Sequence, residues 1–200
     1  MELNAPGLMN DLICIDPLTE DHREALRATS AVDHMWMSMP AIQRGAGFDT
    51  YFDYTLRSGT SGEAVPMALL DPNDGNRFVG VTAFLDPSKL HRRVRLGYTW
   101  LAEHLRGKGV FDAVKMLMIQ RAIDWGAKRI EWQVEACNDR AIAAIERLGA
   151  VREGVLRQHT KLADGTWVDV VMLSLLRDEA KMVLTRAEHA ASVSDASLGA

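Results

Sequence analysis

The chain has little of what marks a secreted, membrane-spanning or metal-dependent protein. Its two cysteines, Cys14 and Cys137, are far apart and form no CxxC pair. Neither a disulfide framework nor a zinc site is indicated, and a reducing compartment fits. No uncharged apolar run approaches the roughly 18 residues a membrane span needs. The opening MELNAPGLMNDL carries neither a basic start nor a long apolar core, so the expectation is a cytoplasmic protein with no membrane and no metal. Charge of one sign is also scarce: a net charge of -4 over 200 residues implies neither nucleic acid nor an acidic lipid surface as partner. The basic run His91-Arg92-Arg93 with Arg95 is local, either a solvated strand face or a patch for a phosphate. Internal repeats are absent.

What is present is core-forming material. A hydrophobic content of 48% over 200 residues suffices for one domain, expected over 1–190, with a small, polar and disordered tail over 191–200. Leu12 to Leu18 reads as a short first strand, and Thr19 caps a helix running to about Ala31. The methionine- and tryptophan-rich piece from His34 to Pro40 follows, read as core or as pocket wall. Phe48, Tyr51, Phe52 and Leu56 recur at helical spacing. Val65–Leu70, Phe78–Leu85 and Arg93–Leu101 then form an antiparallel meander, the first turn signalled by Pro72, Asn73 and Gly75.

The chain is organised around what comes next. From Val94 to Trp100 apolar residues alternate, placing Val94, Leu96, Tyr98 and Trp100 on one side of a strand. Two glycines, Gly107 and Gly109, lead from it into a helix whose apolar positions cover most of its circumference up to Trp125. Arg129–Ala136 alternates again, and a helical crossover between two strands implies that they pair in parallel. Asn138 caps a short helix closed by Gly149, and Glu153–Leu162 and Trp167–Leu175 are joined by the Asp164-Gly165 hairpin signal. Residues after Arg177 read as helical to about His189. The fold class is α+β: a mixed, mostly antiparallel sheet of about seven strands with helices on both faces. The exposed edge of a strand such as Trp167–Leu175 could pair with a second copy and give a homodimer.

A strand, a glycine turn and a buried helix make an anion site, because the first N–H groups of a helix have no partner and lie at the positive end of its dipole. Arg106 and Lys108 add cationic side chains. A plain turn with solvated basic residues is the other reading of the same stretch. A magnesium-binding P-loop does not fit, since Gly109 rather than a hydroxyl residue follows Lys108, and a dinucleotide fingerprint lacks its third glycine.

Arg106-Gly107-Lys108-Gly109-Val110-Phe111 resembles the loop by which GNAT-superfamily N-acetyltransferases hold the pyrophosphate of acetyl-CoA. The resemblance continues through Asn138-Asp139-Arg140-Ala141, Glu146-Arg147-Leu148-Gly149-Ala150 and Glu153-Gly154-Val155-Leu156-Arg157, and is similar to the branch that acetylates ribosomal-protein N-termini and small amines. It covers about residues 92–175 and implies a splayed parallel strand pair, acetyl-CoA as acyl donor, and a small-molecule or peptide amine as acceptor. Cofactor-binding residues implied by it are Thr99 and Leu101 for pantetheine, Arg106, Gly107, Lys108, Gly109 and Phe111 for the pyrophosphate, and Asn138 for the cofactor arm.

Proton handling departs from the family. Ala141 stands where the branch has a serine, Ile145 where many members have a tyrosine, Arg95 where an acidic residue is frequent, and Phe111 where the loop ends in a glycine or alanine. Glu135 as base through a water and Tyr98 as acid are the remaining catalytic candidates; their other readings are a solvated carboxylate and a packed core aromatic. Cys137 reads as a buried strand-end cysteine. The expected function is direct acetyl transfer to a primary amine. The alternatives are a non-catalytic acyl-CoA-binding or sensor protein and a protein-interaction module.

Overall fold

The computed structural model describes residues 2–30, 47–162 and 164–198. Its strands are β1 (Leu8–Met9), β2 (Cys14–Pro17), β3 (Ala64–Asp71), β4 (Arg77–Ser88), β5 (Arg93–Leu101), β6 (Arg129–Glu135), β7 (Val151–Lys161) and β8 (Trp167–Leu176). Its helices are α1 (Arg23–Ser30), α2 (Phe48–Ser61), α3 (Val110–Trp125), α4 (Asp139–Arg147) and α5 (Arg177–Leu198). The strands form one eight-stranded sheet in the order β1-β2-β3-β4-β5-β6-β8-β7. The strand beyond the expected seven is β1, where Leu8 pairs with Ile15 and Met9 with Cys14.

Among the described strands only β5 and β6 pair in parallel, as the helical crossover required, and only over Arg93–Arg95 against Arg129–Glu131. Beyond that rung β5 stays with β4 and β6 with β8. The sheet therefore opens at its middle, toward the end from which the chain leaves β5 for α3.

One face of the sheet is covered by α3, α4 and α5, which share a core cluster containing Val114, Met118, Ile119, Ile142, Ile145 and Ala180. The other carries α1 and α2 over a smaller cluster of Leu26, Phe48, Phe52, Val81 and Trp100. Burial of such side chains contributes roughly 1.5–3 kcal/mol each before entropy is counted. Arg23 ties the two small helices together, pairing with Asp49 at 2.8 Å and Asp53 at 2.5 Å while its guanidinium lies over the Phe52 ring. Gly126 ends α3 with φ 106, and Asn138 caps α4 by accepting from the Ala141 N–H at 3.1 Å.

Four sequence expectations need correction. The edge strand is β7, not the Trp167–Leu175 strand: β8 sits between β6 and β7 because Val171, Leu173 and Leu175 are fully buried, whereas Val151 to His159 are all exposed. Arg92 just before β5 and Arg93 and Arg95 at its start lie at the far end from the glycine turn, and are engaged by the Gly126 carbonyl, Glu131 and Asp86 respectively. Cys137 is exposed, since β6 ends before it. The final helix continues to Leu198, past His189. The His34–Pro40 piece lies outside the described residues.

Candidate active site

The alternation read along 93–101 breaks at Tyr98. Ala83 faces Gly97 and Val81 faces Trp100, so Tyr98 and Thr99 together oppose the single residue Thr82. Two residues against one is a β-bulge. Tyr98 takes the left-handed conformation, φ 49, which costs a non-glycine residue on the order of 1 kcal/mol. Consequently Val94, Leu96 and Leu101 join the α3-side core while Trp100 packs on the α2 side, and Tyr98 is not the packed core aromatic of an unbroken strand but is 45% exposed.

Below the bulge, the chain passes a 3-10 turn, Glu103–Leu105, and reaches Gly107 and Gly109 at φ 76 and 79. An added Cβ at either glycine would meet nothing within 4 Å, so the turn presents bare, open backbone. Gly109 is also the N-cap of α3, and no side chain caps that helix end. Free N–H groups, a positive dipole end and an open approach are what a pyrophosphate requires. Lys108 is exposed in the turn. Arg106 folds back, its Nε donating to the Leu101 carbonyl at 2.8 Å. That bond occupies one of the backbone groups of Leu101 and fixes the strand end against the turn. Across the opening, Trp132, the first β6 residue past the last β5 pair, keeps its Nε1–H buried and unpartnered. These residues fit a CoA moiety.

On the α2 side the bulge borders a cleft of about 880 Å³. All three tyrosines of the chain, Tyr51, Tyr54 and Tyr98, line it, with Arg57, Glu63, Asp86 and Arg95 among its charged residues. Arg95 spans the mouth of the opening, bonded to Asp86 on β4 at 2.5 Å and to Gln133 on β6. Burial raises the Tyr98 phenol above its ordinary value; Arg95 opposes this, while Tyr54, Asp86 and Glu135 add to it. Glu135 contributes the least of these and is not among the residues lining the cleft. Glu135 is half-buried at the end of β6, and burial raises its carboxyl above the usual range.

Asn138 holds the α4 N-terminus with its Oδ1, leaving its Nδ2 as the remaining donor. Ala141 and Ile145 follow on α4, Ile145 buried in the core, so α4 supplies no acid at either position.

Sequence reading missed Lys115. Its side chain is 2% exposed on α3, it donates to Thr99 Oγ1, and its Nζ lies 5.3 Å from the centroid of the Phe111 ring. Burial alone lowers its pKa from 10.5 to about 7. The signal was its place among Phe111, Val114, Met118 and Ala122, one apolar helical face with a cation in it. Tyr51 was read from the sequence as part of the helical spacing of α2 and Tyr54 was not singled out, because which side chains line a cleft between α2 and β4 is a long-range property. Among the described residues no group of His, Cys, Asp or Glu is arranged to hold a metal ion, and no helix is long and apolar enough to cross a membrane.

Among curated proteins, the mycothiol acetyltransferase of Corynebacterium efficiens is 47% identical over 49 residues, 24% of this chain and 17% of that relative. Among solved structures, a candidate acetyltransferase from T. thermophilus is 28% identical with TM-score 0.77, covering 92% of this chain and 96% of that one. The Vibrio cholerae spermidine N-acetyltransferase, solved with CoA and spermine, is 16% identical with TM-score 0.72 over 86% of this chain and 99% of that one, a likeness of fold. A family model described as an acetyltransferase (GNAT) domain matches residues 13–151, well over half of the 200, and the chain accordingly belongs to the GNAT acetyltransferase family.

Proposed function

We propose that the chain transfers an acetyl group from acetyl-CoA to a primary amine, on a protein N-terminus, a peptide or a small molecule, by direct attack. The observation that carries this is the junction at Tyr98: the bulge, which lies past the last β5–β6 pair on the way to the glycine turn, also borders the tyrosine-lined cleft. The turn from Arg106 to Phe111 would hold the pyrophosphate and the bulged strand around Thr99 the pantetheine, with Asn138 reaching the arm. Acetyl-CoA supplies a thioester carbonyl open to attack.

Each proton has a place to go. An amine arriving as ammonium gives a proton to Glu135 through a water, and a carboxyl held above its usual range by burial is a better base than a solvated one. The neutral nitrogen forms the amide bond as the carbon–sulfur bond breaks. Tyr98, kept protonated by burial, gives its phenolic proton to the departing thiolate, and the proton shed by the new amide nitrogen returns through water to the resulting phenolate. No covalent enzyme intermediate is needed, and much of the acceleration comes from positioning.

A second reading, a non-catalytic acyl-CoA-binding protein, is favoured by Ala141 and Ile145 on α4. A panel of peptide and small-molecule amines, assayed for thiol release from acetyl-CoA, separates the two: turnover with any amine supports the enzyme, whereas binding without turnover across the panel supports the sensor. The reading also places the chain in the cytoplasm, in keeping with two free cysteines, and as a homodimer through the exposed edge of β7. Sedimentation of the purified chain as a monomer at all concentrations would remove the dimer.

A further inference from the structure

A lysine 2% exposed and, among the described residues, without a carboxylate partner is costly, and proteins keep such a group where its charge state has a use. Lys115 is one turn past Phe111 on α3, and a helical side chain leans back toward the N-terminus. Its ammonium thus lies toward the end of α3 where the glycine turn presents bare backbone. Phe111, the last residue of that turn motif, covers it on one side; Thr99, the second residue of the bulge, accepts from it on the other. Lys115 thus touches both the last residue of the turn motif and the bulge.

Several charged groups on the elements around it are engaged elsewhere. On α3, Asp112 binds Arg147 at 3.0 Å, and Arg121 donates to the carbonyls of Glu2 and Ala5. On β5, Arg95 is held by Asp86 and Gln133, and Tyr98 lines the cleft on the α2 side. On β4, Thr82 is neutral and bonds Thr99. On α5, Arg177 donates to Ala127 and Glu179 accepts from the Leu176 N–H. Of the cations in the turn, Arg106 is folded onto Leu101, which leaves Lys108 on the surface.

We propose that Lys115 is an internal counter-charge for the cofactor, taking up a proton from solvent when the phosphates of acetyl-CoA bind at the turn before α3. This rests on the acetyl-CoA reading above. In the free protein burial disfavours its charged form, so the binding of anions at the turn favours the protonated one. Each unit by which the bound phosphates raise its pKa makes acetyl-CoA bind tenfold tighter on the acid side of this titration than on the alkaline side. Lys115 touches Thr99 rather than the reacting atoms, so it is a positioning residue.

The test is calorimetric titration of acetyl-CoA into the full chain at pH 7 in two buffers of different ionisation enthalpy. The dependence of the heat on buffer counts the protons taken up. Protons taken up by the phosphates of the cofactor or by other groups of the chain survive in Lys115→Met. The wild-type chain is expected to take up more protons than Lys115→Met, and its affinity to fall between pH 6 and 8.5 more steeply than that of the variant. Equal uptake in the two overturns the proposal. Should Lys115→Met fail to fold, Lys115→Arg, which stays charged across this pH range, takes its place: uptake below that of the wild type supports Lys115, and uptake equal to it overturns the proposal. Absence of any heat with acetyl-CoA removes the cofactor reading itself, whereas binding without uptake dependent on Lys115 removes only this inference.

Discussion

Thr82 Oγ1 stands 2.8 Å from Thr99 Oγ1, across the place where β4 and β5 lose register. Thr82 is the residue that opposes two, and both hydroxyls lie 3.4 Å from the Gly97 carbonyl. The bulge that turns Tyr98 toward the cleft is therefore fastened from behind by side chains, with the ammonium of Lys115 bonded to Thr99.

Thr99→Val keeps the volume and removes the acceptor of that buried ammonium. An unsatisfied buried donor costs about 1–3 kcal/mol. Urea unfolding of the variant is expected to show a stability lower by that amount, read as a lower midpoint with an unchanged slope, and an unaltered midpoint would mean the fastening is dispensable.

Tyr98→Phe removes the hydroxyl assigned to the thiolate. With an active amine in hand, kcat is expected to fall about 10²-fold or more while KM for acetyl-CoA stays within a factor of two. Because burial raises the phenol of Tyr98, the wild-type enzyme should lose this acid only as pH rises above its ordinary value of 10.0. A full kcat in the variant would reassign Tyr98 to the wall of the cleft.

Glu135→Gln tests the base. A carboxylate works when ionised, and burial places its pKa above the ordinary 4.5, so kcat/KM of the wild type should fall as pH drops through that raised value. In the variant the acid limb should disappear and the plateau drop about 10²-fold. An acid limb that survives the substitution belongs to another group.

Lys115 carries a stability prediction with a definite sign. The unfolded chain holds this proton up to about 10.5 while the folded chain releases it at about 7. The penalty of burying the charge is full below pH 7 and is relieved as pH rises toward 10.5. Lys115→Met is therefore expected to melt higher than the wild type by roughly 3–10 °C at pH 6, with the gap narrowing by pH 9. A gap constant with pH would show that the ammonium is not what the substitution removes.

Much of the fold was legible because local pattern and long-range pairing agreed. Strand-turn-helix from Arg93 to Trp125 and the crossover to Arg129 required a parallel pair, and the structure has it. The bulge at Tyr98 was not legible: an inserted residue leaves local polarity unchanged, and only the register against β4 reveals it. The place of β7 was hidden for a similar reason, since strand order depends on which hairpin arm β6 selects. Lys115 was legible in principle, as a cation at a core-facing helical position, but a count of apolar positions passes over it. The glycine turn carried the clearest signal, because an open left-handed backbone has few other residues to use.

The open turn at the head of α3 is the feature on which the acetyl-CoA reading stands, and calorimetric titration of acetyl-CoA into the wild-type chain and into Gly109→Glu tests it most directly. At φ 79 with nothing within 4 Å, the glutamate side chain has room but brings bulk and negative charge to the pyrophosphate seat. Saturable binding by the wild type is expected, with its loss in a variant that still unfolds cooperatively. Equal binding by both would place the cofactor elsewhere, and no binding by the wild type would contradict the acetyl-CoA reading altogether.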